Sequence, residues 1–414
     1  MAGAKRKKRR SAASRAVGGG VLAVLLTAAA LPAAVATPAH GSRGPALGTT
    51  QLISFAADGG PADGASHSPV ISADGDVAAF LSEATNLVPG DTNGKADIFV
   101  RDLRHGTVQR VETPPGNVIH EPALSADGRY LAYAQYGDED NVFVRDLRTG
   151  HTERAGVELD AGHTGGESPS LSADGRTVAF LTRNEHPHSG PSAVYVRDLR
   201  ARRTERVSFA DTPGSKFSAV GWPSLSGDGT KVAYQYERFD TSANYDWGDV
   251  YVYDRLTGAW TQVDTTHDGS PANRPAYNPA LSFDGSAAVF DSAASNLLPG
   301  EDPEGPDPFV RDLRTGKLTR VDGLPPGPST RGISADGSKL LLYASPVRNV
   351  YAAYIRDLRT GVTVMVSPNM DGKPAIARQA KMDARARRVI FAGDDSFVPG
   401  DTNRRQDILV RTVP

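Results

Sequence analysis

PSLSADG (Pro169–Gly175), followed by VYVRDLR (Val194–Arg200), is the pair of phrases that decides the fold of this 414-residue chain. The first phrase recurs as PVISADG (Pro69–Gly75), PALSADG (Pro122–Gly128), PSLSGDG (Pro223–Gly229), PALSFDG (Pro279–Gly285) and RGISADG (Arg331–Gly337). A seventh copy, RQAKMDA (Arg378–Ala384), has decayed; aligned on Asp383, it gives Asp-to-Asp steps of 53, 47, 54, 56, 52 and 47 residues. The second phrase follows each copy, starting at Ile98, Val142, Val194, Val250, Pro308, Ala353 and Ile408.

Each unit reads as four strands. Strand A is the Pro-x-Leu-Ser segment, and Asp-Gly makes the next turn because both residues tolerate positive φ. Strand B is a short apolar run such as TVAFL (Thr177–Leu181), and strand C is the VxVRDL segment. An Arg-Thr-Gly turn leads to strand D. Runs of apolar residues without clean alternation are expected where both faces of a sheet are covered. A period near 50 residues with four strands per unit predicts an all-β chain, a seven-bladed β-propeller of four-stranded blades. The last unit stops after strand C at Pro414, whereas QLISFAADG (Gln51–Gly59) matches the strand D segment RVSFADTPG (Arg206–Gly214). The N-terminal strand is therefore expected to complete the last blade and remove the open edges.

Upstream of the repeats, Lys5 to Arg10 and Arg15 form a basic run, and the 21 residues Ala16–Ala36 carry no charge. Ala34-Val35-Ala36 has the small-x-small form of a signal-peptidase site. Residues 1–36 are expected to be a signal peptide, 37–49 a short linker and 50–414 the propeller. Thr37-Pro38-Ala39 offers a second site, Arg9-Arg10 a twin-arginine reading, and the uncharged run an uncleaved anchor. Cleavage would remove seven basic residues and no acidic ones, taking the net charge from −2 to about −9. Such a protein, secreted or held in the cell envelope, is a poor candidate for nucleic acid or, after cleavage, for a membrane. A monomer is expected. With no cysteine, disulfides, thiolate nucleophiles and Cys-ligated zinc are excluded.

The six Ser-x-Asp-Gly turns with their decayed seventh copy, and the seven strands of the VxVRDL kind, resemble the TolB-type, WD-repeat-like β-propellers over Gln51–Pro414. The resemblance implies scaffolding, ligand capture or an accessory role beside a peptidase, and no single one of these. The α/β domain that precedes the TolB propeller does not fit between Ala36 and Gln51, so a Tol-system role is not expected. The sialidase Asp box also fails, because Gly follows Asp directly and no Trp follows.

No Gly-x-Ser-x-Gly, HExxH, Walker or Rossmann pattern is present. His186-Pro187-His188 reads as a polar loop. The most specific chemical pattern is DTNGKAD (Asp91–Asp97), with Asp91, Asn93 and Asp97 at positions 1, 3 and 7 and the Lys95 carbonyl at 5. That oxygen set suits Ca²⁺, a candidate cofactor; an ordered loop of Asx-turns without metal is the alternative. Near copies are DTNRRQD (Asp401–Asp407) and EDPEGPD (Glu301–Asp307). The RDLR segments read as structural, with Asp capping the next turn and Arg bridging strands or blades. Variable B–C and D–A loops share one face of a propeller, where binding usually resides. Phe217, Trp222, Tyr236, Phe239, Tyr245, Trp247 and Tyr277 concentrate there as a candidate ligand surface. His67, His120 and Glu121 precede strand A and should border the channel mouth, as Ser168 and Asn278 do in other units. The expected function is an exported, non-catalytic module binding a protein, peptide or glycan. The alternative is a polysaccharide-active lyase or hydrolase with its site at the channel mouth.

Overall fold

The structure, a computed structural model, describes residues 48–113, 117–136, 141–159, 163–184, 192–209, 218–240, 245–300, 305–394, 397–399 and 401–413. The signal segment and most of the linker lie outside these residues. Among the described residues, no helix is long and apolar enough to cross a membrane.

The repeats fold into seven four-stranded antiparallel sheets. In blade 1 the strands are Ser66–Ile71, Val77–Ser82, Asp97–Asp102 and Val108–Val111, in the spatial order A-B-C-D. Blade 7 is built from Ala377–Met382, Arg388–Gly393 and Asp407–Thr412, and its fourth strand is Thr50–Leu52. Gln51 lies opposite Val410, Ile53 N donates to Ile408 O at 2.9 Å, and Thr412 N donates to Thr49 O at 3.0 Å. The N-terminal strand thus closes the wheel as the sequence predicts.

The apolar runs are buried on both faces. Phe80, Tyr133, Phe180, Tyr234, Phe290, Leu342 and Phe391 hold one position in strand B of successive blades, and all are 0% exposed. Several stack on strand C of their own blade, as Phe290 does on Phe309 at 5.7 Å between centroids. The apolar clusters are shared between neighbours; Ala132 and Val142 of blade 2 pack with Phe180 and Tyr195 of blade 3.

The Ser-x-Asp-Gly turn has one repeated chemistry. Ser172 Oγ donates to Asp174 Oδ1 at 2.8 Å and accepts Thr177 N–H at 3.0 Å, while Asp174 Oδ1 accepts Arg176 N–H at 3.1 Å. Gly175 then takes φ 69°. The decayed copy requires a correction. Asp383 stands at the serine position: its N–H bonds Arg388 O at 3.0 Å, as Ser172 N–H bonds Thr177 O at 2.9 Å. Asp383 Oδ1 accepts the N–H groups of Arg385 and Arg387, and Ala386, at φ 51°, fills the glycine position. A carboxylate can replace the hydroxyl as turn acceptor, so the seventh copy sits two residues away from the register that Asp383 suggests.

These turns also join one another. Ala384 N donates to Ala73 O, Asp74 N to Ala126 O, Ala126 N to Ala173 O and Ala173 N to Gly227 O. Gly227 N then donates to Phe283 O, Asp284 N to Ala335 O and Ala335 N to Ala384 O, with all seven bonds between 2.7 and 3.1 Å. One end of the hub is therefore a closed ring of backbone hydrogen bonds.

A Cβ on Gly175 would lie 2.3 Å from the Tyr130 ring of the preceding blade. Gly175→Ala combines that overlap with an unfavourable φ, and is expected to destabilise the fold by about 3 kcal/mol. Urea unfolding of the variant measures this; a loss within about 0.5 kcal/mol would contradict it.

The opposite face is less uniform than the sequence suggests. Long B–C connections run between Ser82 and Asp97, Ser292 and Asp307, and Gly393 and Asp407. Blade 6 instead turns tightly at Arg348-Asn349, and blade 4 extends strands B and C to ten residues each, Lys231–Asp240 and Tyr245–Asp254.

Candidate functional site

Strand A of every blade faces the hub, and each contains a register shift. In blade 4, Gly221 pairs with Gln235 and Ser224 with Ala233, so Trp222-Pro223 bulges out. Proline suits such a place because it has no N–H to give the ladder. The residue before it swings into the left-handed region: Ser68, Ser168, Trp222 and Asn278 have φ of 53°, 51°, 44° and 56°, and Gln379, which precedes Ala380 at the matching place in blade 7, has φ 51°. A bulge re-aims its side chain, so five blades present a chosen side chain at the hub.

The hub encloses a cavity of about 540 Å³ whose lining includes Ser168, Trp222, Arg331, Gln379 and Lys381 over an apolar floor of Ile71, Leu124, Leu281, Ile333 and Met382. Among the described residues, the lining contains no Asp, Glu or His. Trp222 is 60% exposed. The Arg331 guanidinium lies 4.6 Å above the Tyr343 ring, and the Tyr343 hydroxyl accepts Ala380 N–H at 2.6 Å. Gln379 Oε1 accepts Ser68 N–H at 2.7 Å and its Nε2 donates to Ser68 Oγ at 3.2 Å, joining blade 7 to blade 1 at the rim. Asn278 Nδ2 donates to Asp291 Oδ2 at 2.9 Å. Asp291 is fully buried and also accepts Thr330 N–H; burial pushes its pKa up against these bonds.

The predicted aromatic surface divides. Trp222 opens onto the hub. Tyr277 is half-buried beside it in blade 5, its pKa raised by burial and then by Asp291. Tyr236 is 7% exposed and belongs to the blade core, edge-on to Phe209 at 5.4 Å, so it contributes no open surface. Tyr245 and Trp247 are strand residues opposite Asp240 and Arg238, not loop residues. Their side chains, and those of Phe239, His120 and Glu121, lie outside the described residues, as do Phe217 and His186-Pro187-His188. His67 sits on the rim with Nδ1 3.1 Å from Ser68 Oγ, and burial lowers its pKa.

Arg331, Gln379 and Lys381 are the hub residues that motif reading missed. Their signal is departure from the repeat: Arg331 replaces the strand A proline, and Lys381 falls where blades 3 and 4 carry Ser170 and Ser224.

The DTNGKAD loop is closed internally. Arg110 Nη1 lies 3.0 Å from Asp91 Oδ1 and 3.3 Å from Asp97 Oδ2. Asn93 Nδ2 donates to Asp97 Oδ2 at 2.8 Å, and Asn93 Oδ1 accepts Lys95 N–H at 2.9 Å. A guanidinium thus stands where the sequence suggests Ca²⁺. In the blade 7 copy, burial and then Asp407 push the Asp401 carboxyl up to about 6. Among the described residues, no three His, Asp or Glu side chains converge as a metal cage.

No protein-family model matches the sequence. Over 108 residues it is 27% identical to the Tol-Pal system protein TolB of Francisella tularensis, covering 26% of this chain and 22% of that relative's length. Together with the seven blades, this supports the predicted resemblance. The chain resembles TolB-type β-propellers. Among solved structures, oligogalacturonate lyase in complex with manganese aligns with a TM-score of 0.60 at 15% identity, covering 89% of this chain and 99% of that one. The β-propeller domain of the Trilobed protease from Pyrococcus furiosus aligns with a TM-score of 0.57 at 14% identity, covering 84% and 94%. At such identities the TolB-like wheel shares a fold with these proteins and nothing finer.

Proposed function

We propose that this protein is an exported, non-catalytic binding module that takes a carboxylate-bearing glycan or peptide into the hub from the long-loop face. The observation that carries the reading is the cavity lining: among the described residues, Arg331 and Lys381 are its charged members, and Trp222 lines it with a largely exposed ring. A concave site with one sign of charge focuses potential on an anion. General acid–base catalysis calls for a titrating carboxyl or imidazole within reach of the substrate, and the described lining supplies neither. Export rests on the basic, then uncharged, N-terminal segment.

A second reading, cleavage of a polyuronate, is favoured by the shared fold with oligogalacturonate lyase. It takes the same ligand chemistry, so one experiment separates the two. The full chain is titrated calorimetrically with oligogalacturonate, an acidic peptide and a neutral glycan, while ultraviolet absorbance follows any unsaturated uronate. Binding of an anionic ligand without turnover is expected. Arg331→Gln and Lys381→Gln should each weaken it about tenfold and Trp222→Ala by a similar factor, with melting unchanged. Equal binding of the neutral glycan, or unaltered binding by both charge variants, would overturn the proposal. Steady release of unsaturated product would establish the lyase.

A further inference from the structure

Three B–C loops share one plan: an apolar plug followed by an acidic turn. Leu87, Leu297 and Phe397 are the plugs, all buried, and Asp97, Asp307 and Asp407 begin strand C behind them. Blades 1 and 5 neutralise the turn from strand D. Arg110 lies opposite Phe99 and contacts Asp91 and Asp97; Arg320 lies opposite Phe309 with Nη1 3.9 Å from Asp307 Oδ2. In blade 7 the same position, opposite Leu409, is Leu52.

The carboxylates remain although the arginine is gone. Asp407 is 0% exposed; its Oδ1 accepts Ser54 Oγ–H at 2.7 Å, and its Oδ2 completes no hydrogen bond, although Asn403 and Asp401 approach the carboxylate. Asp401 is half-buried and faces Asp407. Among the described residues no cation is within ion-pair distance of either, and Arg404 and Arg405 are exposed. Asn403 is held by its Nδ2 on Ala62 O at 3.2 Å, and its Oδ1 accepts Arg405 N–H at 2.9 Å, leaving that oxygen a second lone pair. A buried carboxylate oxygen without a donor or counter-charge is costly.

We propose that Asp401, Asn403, the Arg405 carbonyl and Asp407 bind a calcium-class divalent cation at the place where blades 1 and 5 hold a guanidinium. All four donors are oxygen, which selects a hard ion over zinc or copper. Two carboxylates on a surface loop give the weak, roughly millimolar affinity of extracellular modules. Through Ser54 and Ala62 the ion ties the N-terminal strand and the loop after it to strand C of blade 7. It therefore fastens the seam, and a calcium-poor compartment would loosen that seam first.

The test uses the full chain, with calcium calorimetry, terbium luminescence and melting. One site per chain is expected, with the melting midpoint rising by roughly 2 °C at tenfold saturation. Asp407→Asn should abolish binding. Leu52→Arg should also abolish it while keeping the calcium-free melting midpoint, because the side chain supplies the charge. Arg110→Leu should add a second site in blade 1. No calcium effect on the wild type, or undiminished binding by Leu52→Arg, would overturn the assignment. An unfolded Asp407→Asn would leave Leu52→Arg and Arg110→Leu to decide.

Discussion

Gln51→Pro and Ile53→Ala are each expected to cost about 3 kcal/mol of stability, more than any surface change elsewhere on the wheel. The seam rests on few interactions. Strand D of blade 7 is only Thr50–Leu52, flanked by the backbone bonds of Thr49 and Ile53. Gln51 faces Val410 between those flanking bonds, so proline there removes a donor from the middle of the ladder and leaves a strand C carbonyl unpaired. Ile53 is 3% exposed and packs with Phe80, Ile390 and Ile408, bridging blades 7 and 1. Truncating it leaves a cavity where two blades meet. Opening the seam also bares the edge of Asp407–Thr412, so both variants should be cleaved faster by protease in that strand. Equilibrium urea unfolding gives the energies. Losses below about 0.5 kcal/mol in both would show that the wheel does not depend on this closure.

The wheel was legible because its determinants are local. Ser, Asp and Gly form their turn within five residues, as Ser172 to Thr177 shows, so every intact copy can be read from the chain alone. The seventh copy was misplaced because Asp383 performs the serine's task with different atoms. The site was harder to read because it depends on register. Arg110 is 13 residues from Asp97, and only the pairing of strands C and D places it between two carboxylates. Nothing near Asp401 in sequence shows that its arginine has become Leu52, which arrives from the other end of the chain. Blade 4's aromatics misled for a related reason. Tyr236 lies in an extended hairpin whose length no turn motif announced, and packing against Phe209 and Tyr251 takes it into the core. The hub charges were visible only as irregularities in a repeat whose regularity drew attention.

Asp264 should make the protein lose stability as pH rises, and Asp264→Ser should remove that loss. The residue lies two positions beyond strand D of blade 4, where the seam has Ser54 and blade 6 has Ser367. Those hydroxyls accept the N–H groups of Ile408 and Ala353, and Asp264 Oδ1 does the same for Val250 at 3.1 Å. Serine therefore fits the position. The aspartate is 0% exposed, its Oδ2 has no donor, and burial, then the nearby Asp249, push its pKa up to about 7. Below the ordinary carboxyl value of 3.8, both the folded and unfolded chains hold the proton. Between that value and about 7 the unfolded chain has released it and the folded chain has not, so stability falls by ~1.4 kcal/mol per pH unit. Above about 7 both forms are ionised and the slope ends, with a total loss on the order of 4 kcal/mol. Arg311 lies close enough for its charge to be felt, but it donates to the Val263 and Thr265 carbonyls and does not pair with Asp264. Urea unfolding at about pH 5 and about pH 8 should show Asp264→Ser gaining on the wild type at the higher pH by roughly 2–3 kcal/mol. An equal difference between the two proteins at both pH values would mean that Asp264 is ionised throughout and that Arg311 carries its counter-charge.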